Sequence, residues 1–83
     1  MKKKVIVDIW KTNRHPYGWK IKIDGVQIWH RRKRVKKTLH EPQFETKIGA
    51  LREIRKRLKN YRKTKEIESS YVNGQRFIFE LIG

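Results

Sequence analysis

The chain has 83 residues and a mass of 10.2 kDa, which suffices for one small domain and excludes a multidomain enzyme. Its 23 Lys and Arg against 8 Asp and Glu give a formal charge of +15. Cysteine is absent, which excludes disulfides, thiolate zinc sites and cysteine nucleophiles. No run of 18 apolar residues is present that could span a membrane. We therefore expect a single domain over residues 1–83 that stays in the cytoplasm, away from membranes.

The positive charge is concentrated in one part of the chain. Residues 31–65 hold 15 of the 23 basic residues and only three acids, Glu41, Glu45 and Glu53, for a local net charge of +12. A surface that is merely solubilising intersperses the two signs, and a bias of this size costs self-repulsion when no partner is bound. The charge therefore predicts a polyanionic partner, in the first place a nucleic acid.

The N-terminal half of the chain predicts a strand followed by a hairpin. Residues 5–10 are β-branched and aromatic, and their apolar side chains fall on both faces, so the face of Trp10 stays open. A loop follows at residues 13–17, because a residue before proline is pushed out of helical conformation. Residues 19–23 and 26–29 then alternate around Asp24-Gly25, a pair typical of the two-residue type I′ turn.

This turn fixes the register of the hairpin. It pairs Ile23 with Val26, and at the far end Trp19 with His30. The face expected to pack into the core carries Trp19, Ile21, Ile23, Val26, Ile28 and His30. The face expected to point outward carries Lys20, Lys22, Gln27, Trp29 and Arg31.

Thr46 is the predicted N-cap of an amphipathic helix that runs to about Lys63. The predicted core stripe recurs at three- and four-residue steps and consists of Ile48, Leu51, Ile54, Leu58 and Tyr61. Basic residues cover the other faces, and a group of four forms either a second phosphate track or a solvated face: Arg52, Arg55, Lys56 and Lys59. The choice depends on where the helix lies relative to the sheet, which the sequence leaves open.

A second hairpin is predicted at the end of the chain. Asn73-Gly74, another type I′ pair, separates residues 71–72 from residues 75–81, in which Phe77, Phe79 and Leu81 share a core face. The order β-β-β-α-β-β predicts an α+β fold, in which one amphipathic helix packs on one face of a small antiparallel sheet. Residues 76–82 form a long apolar strand, which as an exposed edge would allow a homodimer.

The outward face of the first hairpin is the predicted binding site. There Lys20 and Lys22 can bind phosphate, Gln27 can reach base edges and Trp29 can stack, unless the terminal strands cover its indole. The basic run 31–37 is expected to contact phosphates, although a nuclear-localisation signal fits it equally well. The predicted nucleic-acid-binding residues are Lys20, Lys22, Gln27, Trp29, Arg31, Arg32, Lys33, Arg34, Lys36, Lys37, Arg52 and Lys56.

Enzymatic activity is not expected. The histidines, His15, His30 and His40, lack metal-ligand spacing. The carboxylates are scattered along the chain and no Gly-rich phosphate loop is present. We therefore expect no catalytic residue, no metal and no cofactor.

The first hairpin together with the stretch Phe44-Glu-Thr46-Lys47-Ile-Gly-Ala50 resembles AP2-like DNA-binding modules, including the arm-binding domains of phage and transposon integrases. The resemblance covers residues 17–62. It implies a three-stranded sheet that enters the major groove of DNA, backed by a helix, with Lys20, Lys22, Gln27, Trp29 and Arg31 at the DNA. The link to the helix is longer than in that family, and a further hairpin at 66–82 could extend or cover the sheet.

The sequence as a whole predicts a protein that binds double-stranded DNA through a sheet face and the 31–37 segment. Such a protein would be an accessory or regulatory protein of a phage or mobile element, at the nucleoid in a bacterial cell or in the nucleus of a eukaryotic one. Two alternatives stay open. One is an RNA-binding or ribosome-associated protein, with a tryptophan stacking on unpaired bases. The other is a basic inhibitor that docks on an acidic protein.

Overall fold

The computed structural model of the protein describes residues 2–13, 17–28 and 44–82. The elements in these ranges are β1 (Lys4–Lys11), β2 (Trp19–Ile23), β3 (Val26–Gln27), α1 (Lys47–Arg57), β4 (Tyr61–Ile67) and β5 (Gly74–Leu81). The strands form one antiparallel sheet in the order β3-β2-β1-β5-β4. The predicted α+β class is confirmed. The elements follow one another as β-β-β-α-β-β, but the fourth strand is formed by residues 61–67 and not, as predicted, by 71–72.

The core lies between one face of this sheet and α1. On the central strand β1, Val5, Val7 and Ile9 alternate with residues of the opposite face and are buried. The neighbouring strands add Ile21, Phe77 and Phe79, and the helix adds Ala50, Ile54 and Leu58. The opposite face of the sheet, which we call the open face, has no helix of the described chain packed on it.

The first hairpin has the predicted turn and register. Asp24 and Gly25 have φ values of 51° and 80°, and Ile23 pairs with Val26 as a type I′ turn requires. Val26 was expected in the core but is 64% exposed, because this two-residue edge strand lies outside the area that α1 covers. His30, the predicted partner of Trp19, lies outside the described residues. Trp19 exchanges both backbone hydrogen bonds with Phe44, at 2.7 and 2.6 Å.

The helix begins as predicted and ends earlier. The Thr46 hydroxyl accepts a hydrogen bond from the backbone N–H of Gly49 at 3.0 Å, which confirms the N-cap. The helix ends at Arg57 with Leu58 as C-cap, so the predicted extension to Lys63 is wrong. Tyr61 starts β4 instead, since β5 gains a complete hydrogen-bonded neighbour when residues 61–67 are extended.

The buried stripe of α1 is also shifted from the predicted one. Ile48 is 64% exposed, whereas Ala50 is fully buried. Ala50, Ile54 and Leu58 follow one another at four-residue steps and line one side of the helix. Ile48 lies two residues before Ala50, which at 3.6 residues per turn points its side chain away from the sheet.

The second hairpin joins β4 to β5 through residues 68–73, so the predicted two-residue turn at Asn73-Gly74 is wrong. Asn73 does have a positive φ of 55°, but Gly74 is already the first residue of β5. The predicted core face of the last strand is confirmed. Phe77 and Phe79 are buried there, and Leu81 on the same face is partly buried.

The sheet edges are not the ones that the sequence suggested for a homodimer. The last strand, β5, lies between β1 and β4 and has no unpaired edge along this sheet. The edges are β3, with two residues, and β4, which carries mostly charged residues and has a bulge between Lys63 and Lys65. Short, charged and bulged edges disfavour strand addition. The predicted route to a homodimer is therefore wrong.

A pH-dependent contribution to stability comes from the first turn. The Asp24 carboxylate accepts a hydrogen bond from the backbone N–H of Ile6 at 3.0 Å and pairs with the Lys2 ammonium at 2.9 Å. The Ile6 hydrogen bond first, and then Lys2, lower the pKa of Asp24 below its usual value. A carboxyl whose pKa is lowered by folding stabilises the fold above its unfolded pKa, about 3.9, and loses this contribution as the pH falls through the folded value.

We therefore expect Asp24→Asn to lower the urea midpoint at pH 7 and to lower it less at about pH 3, because the stabilisation by the carboxylate is lost progressively below the unfolded pKa of about 3.9. Asparagine tolerates the positive φ of the turn, so the substitution removes the charge and keeps the turn conformation. A loss of equal size at both pH values would show that the charge of Asp24 does not contribute.

Candidate nucleic-acid interface

The open face of the sheet collects basic side chains from four strands. Lys22 lies opposite Asp8 on one side and Gln27 on the other, and Lys20 lies opposite Trp10. Side chains of directly paired residues share a face, so the predicted site residues Lys20, Lys22 and Gln27 lie together on the open face. By the same register β1 adds Lys4, β4 adds Arg62 and Lys65, and β5 adds Arg76.

The acidic groups on this face are already paired. Asp8 is only 5% exposed, and its carboxylate accepts two hydrogen bonds from Arg76, at 2.7 Å from Nε and 3.3 Å from Nη2. This hydrogen-bonded carboxylate raises the pKa of Arg76 further above its usual value, so the guanidinium stays charged. Glu80 lies 4.0 Å from the Lys4 ammonium.

Four cations on the open face have no acidic partner within 4.0 Å in the part of the chain that the structure describes. They are Lys20, Lys22, Arg62 and Lys65. Unpaired cations on a sheet face leave their charge available to an external anion. The open face can therefore bind a polyanion without first breaking ion pairs of its own.

An aromatic stack lies at one end of the open face. The rings of Trp10 and Tyr71 are parallel to within 4°, with centroids 4.0 Å apart. Tyr71 comes from the β4–β5 connection, and Gly74 lets it approach, because a Cβ there would lie 2.9 Å from Tyr71 Cβ and 3.1 Å from Trp10 Cβ. The Lys22 ammonium is 5.9 and 5.5 Å from the two centroids. Lys22 thus makes a cation–π contact with each ring of the stack.

Sequence reasoning missed this stack. It left the face of Trp10 open and placed Tyr71 in a strand. The available signal was the alternation in β1, where Ile6, Asp8 and Trp10 form one face and the fully aliphatic Val5, Val7 and Ile9 form the other. No local pattern predicts the position of Tyr71, because its partner Trp10 lies 61 positions earlier in the chain.

The predicted helix residues do not join the open face. Arg52 and Lys56 are exposed on α1, which packs on the other side of the sheet. Arg55 and Lys59 border a groove of about 630 Å³ between α1 and the β4–β5 hairpin, with a floor that includes Leu51 and Phe77. The basic residues Arg52 and Lys56 of α1 therefore lie on the other side of the sheet from Lys20 and Lys22 of the first hairpin.

Trp29 and the basic run 31–37 lie outside the described residues. The ends of the chain on either side of them are fixed against β2. Ile28 donates its backbone N–H to the Ile21 carbonyl at 3.0 Å, and Phe44 is bonded to Trp19. Ile28 and Phe44 therefore both contact β2, the strand that carries Lys20 and Lys22.

Among the described residues no group of three or more His, Asp or Glu could hold a metal ion. The described helix is also too short and too polar to cross a membrane. Comparison of the chain with protein-family models, with curated proteins and with solved structures finds no match.

The close approach at Gly74 makes the aromatic stack testable. Gly74→Ala should push Tyr71 away from Trp10 and lower the free energy of unfolding by about 1–3 kcal/mol, as overpacked sites do. The near-UV circular dichroism of the paired rings should change at the same time. Gly25→Ala is the control, because its Cβ meets nothing within 4 Å and its cost, about 1–2 kcal/mol, comes only from the positive φ. An unchanged near-UV spectrum in Gly74→Ala would contradict the stacked arrangement.

Proposed function

We propose that this protein binds double-stranded DNA with the open face of its sheet. The observation that carries the proposal is the group of unpaired cations, Lys20, Lys22, Arg62 and Lys65, on a face whose acids are already neutralised. Such an arrangement fits a partner with regularly spaced negative charge, because each added phosphate meets a cation that is not held in an ion pair, although Lys22 also contacts the Trp10 and Tyr71 rings.

The dimensions of the sheet suggest how it would dock. Neighbouring strands are about 4.8 Å apart, so five strands span roughly 19 Å, which is wider than the B-DNA major groove of about 12 Å. Three strands span about 10 Å and fit the groove. We infer that β3, β2 and β1 enter it, with Lys20, Lys22 and Gln27 towards the bases and the groove walls. Arg62 and Lys65 on β4, three strands away from β2, would then reach phosphates beyond the groove.

The resemblance to AP2-like and integrase arm-binding modules is compatible with this docking. Those modules present a three-stranded sheet backed by a helix, and here β1, β2 and β3 are backed by α1. The additional strands β5 and β4 extend the sheet at the β1 side and leave the face of Lys20 and Lys22 open. The basic run 31–37, joined to the domain on both sides at β2, would add phosphate contacts. An accessory role in a phage or mobile element is part of the same proposal.

A second candidate is binding of RNA or single-stranded DNA, and the Trp10–Tyr71 stack favours it. Single-strand binders use aromatic side chains as platforms for unpaired bases. Each ring, however, already uses one of its faces on the other ring. The stack therefore offers less surface to bases than two separate rings would, and we rank duplex DNA first.

The first test is the salt dependence of binding by Lys20→Gln/Lys22→Gln. If each lysine neutralises one phosphate of duplex DNA, the double variant should bind more weakly and the slope of log K against log salt should fall by about 1.8. Fluorescence anisotropy with a labelled duplex over a salt series measures both quantities. The matched control is Lys3→Gln/Lys11→Gln, which removes the same charge at exposed positions near the ends of β1, outside the open face.

Equal slopes for the two double variants would contradict docking through the open face. Failure of the wild-type protein to bind any nucleic acid at low salt would overturn the proposal altogether. The charge would then serve an acidic protein partner, as expected for a basic inhibitor.

Tyr71→Leu separates the two nucleic-acid candidates. If unpaired bases stack on this aromatic pair, the variant should lose about 1–3 kcal/mol per stacked base for single-stranded DNA or RNA. If the protein docks on duplex through its lysines, duplex affinity should change less than about two-fold. Tyr71→Phe is the control, since it keeps the ring and removes only the hydroxyl. Tighter wild-type binding to single strands than to duplex would favour the second candidate.

A further inference from the structure

We propose that the protein bridges two DNA duplexes, one bound to the open face of the sheet and one to the outer side of α1. This inference rests on the proposed function and adds a second surface to it. We call that surface the helix face and define it by Arg52, Arg55, Lys56 and Lys59, all exposed.

The cations of the helix face lack acidic partners along the helix. Glu53 is the only acidic residue of α1, and it pairs with Arg57 at 3.7 Å. The first turn contains no acid, although an acid there would interact favourably with the helix dipole. Arg52–Lys56 and Arg55–Lys59 each place two positive charges four residues apart, a spacing at which like charges repel.

The helix dipole accounts for only part of this charge. Basic residues in the last turn, Arg55, Lys56 and Arg57, interact favourably with the C-terminal end of the helix. Arg52 lies in the middle of the helix, where the dipole gives no such benefit. Arg52 is exposed and has no acid one turn before or after it in the helix. An external anion that binds there would stabilise this positive charge.

The position of the helix face relative to the open face decides what it can bind. The two faces are separated by the core, which packs Ala50, Ile54 and Leu58 of the helix against Val7 and Ile21 of the sheet. A single short duplex cannot contact both sides of this two-layer domain, because DNA is stiff over about 150 base pairs and would have to fold back on itself. Simultaneous use of the two faces therefore requires two duplexes, or two distant segments of one.

A bead assay tests bridging directly. One 30-base-pair duplex is fixed to beads, a second, fluorescent duplex is in solution, and recovery of the second is measured as the protein is titrated. We expect the wild-type protein to recover the second duplex. We expect Arg52→Glu to reduce this recovery about ten-fold or more, while anisotropy shows a change of less than about three-fold in binding to a single duplex.

The same substitution has an independent readout. A carboxylate at position 52 faces Lys56 one turn later, in the favourable order for an ion pair, and replaces a repulsion. Arg52→Glu should therefore raise the melting temperature while it abolishes bridging, so that loss of bridging cannot be ascribed to unfolding. Lys3→Glu is the matched control, with the same change of two charge units at an exposed site outside both faces.

Three results would overturn the inference. The first is a wild-type protein that binds single duplexes but recovers no second duplex. The second is an Arg52→Glu variant that bridges as well as Lys3→Glu, which is expected if a dimer formed through another surface joins the duplexes. The two variants could also lose bridging equally, as unspecific condensation by net charge predicts. Failure of the proposed function gives a different result, because no duplex then binds in the anisotropy experiment.

Discussion

The structure depends on a limit set by chain length: one helix of 11 residues can cover only one face of a five-stranded sheet. Val5, Val7 and Ile9 of the central strand pack against Ala50, Ile54 and Leu58, and this single contact layer supplies the core. In the described part of the chain no second layer packs on the other face of the same strand. An ion pair stabilises this face, in which the buried Asp8 carboxylate accepts two hydrogen bonds from the partly exposed Arg76. The Trp10–Tyr71 stack adds to it, because each ring covers one face of the other.

This asymmetry connects stability with function. On the open face the acids are paired with Arg76 and Lys4, and the two aromatic rings cover one face of each other. The lysines of β2 and the basic residues of β4 are left without an acidic partner among the described residues. A positive sheet face is thus a consequence of how the face is stabilised and of which charges stay unpaired. On α1 the single acid, Glu53, likewise pairs with Arg57. The remaining basic residues of the helix form the helix face, a second positive surface on the opposite side of the domain.

Part of the fold and of the site was predictable because it rests on local interactions. Asp24-Gly25 determines a turn whose register places Lys20, Lys22 and Gln27 on one face, and every contact involved lies within a few residues. The Thr46 cap is equally local. The errors concern competition between distant parts of the chain. Residues 61–63 suit the end of a helix, but pairing with β5 holds them in a strand, and Trp19 pairs with Phe44, 25 positions away in the chain.

The sequence by itself determined the element order, the first hairpin with its outward lysines, the helix start and the strong positive charge. Turn conformation, capping and strand alternation depend on neighbouring residues, so they can be worked out without knowing the rest of the fold. Only the tertiary structure decided that β5 lies inside the sheet between β1 and β4, that Trp10 meets Tyr71, and that Arg52 and Lys56 lie on the other side of the sheet from Lys20 and Lys22. These arrangements depend on which apolar faces are buried together, and that is a property of the whole chain.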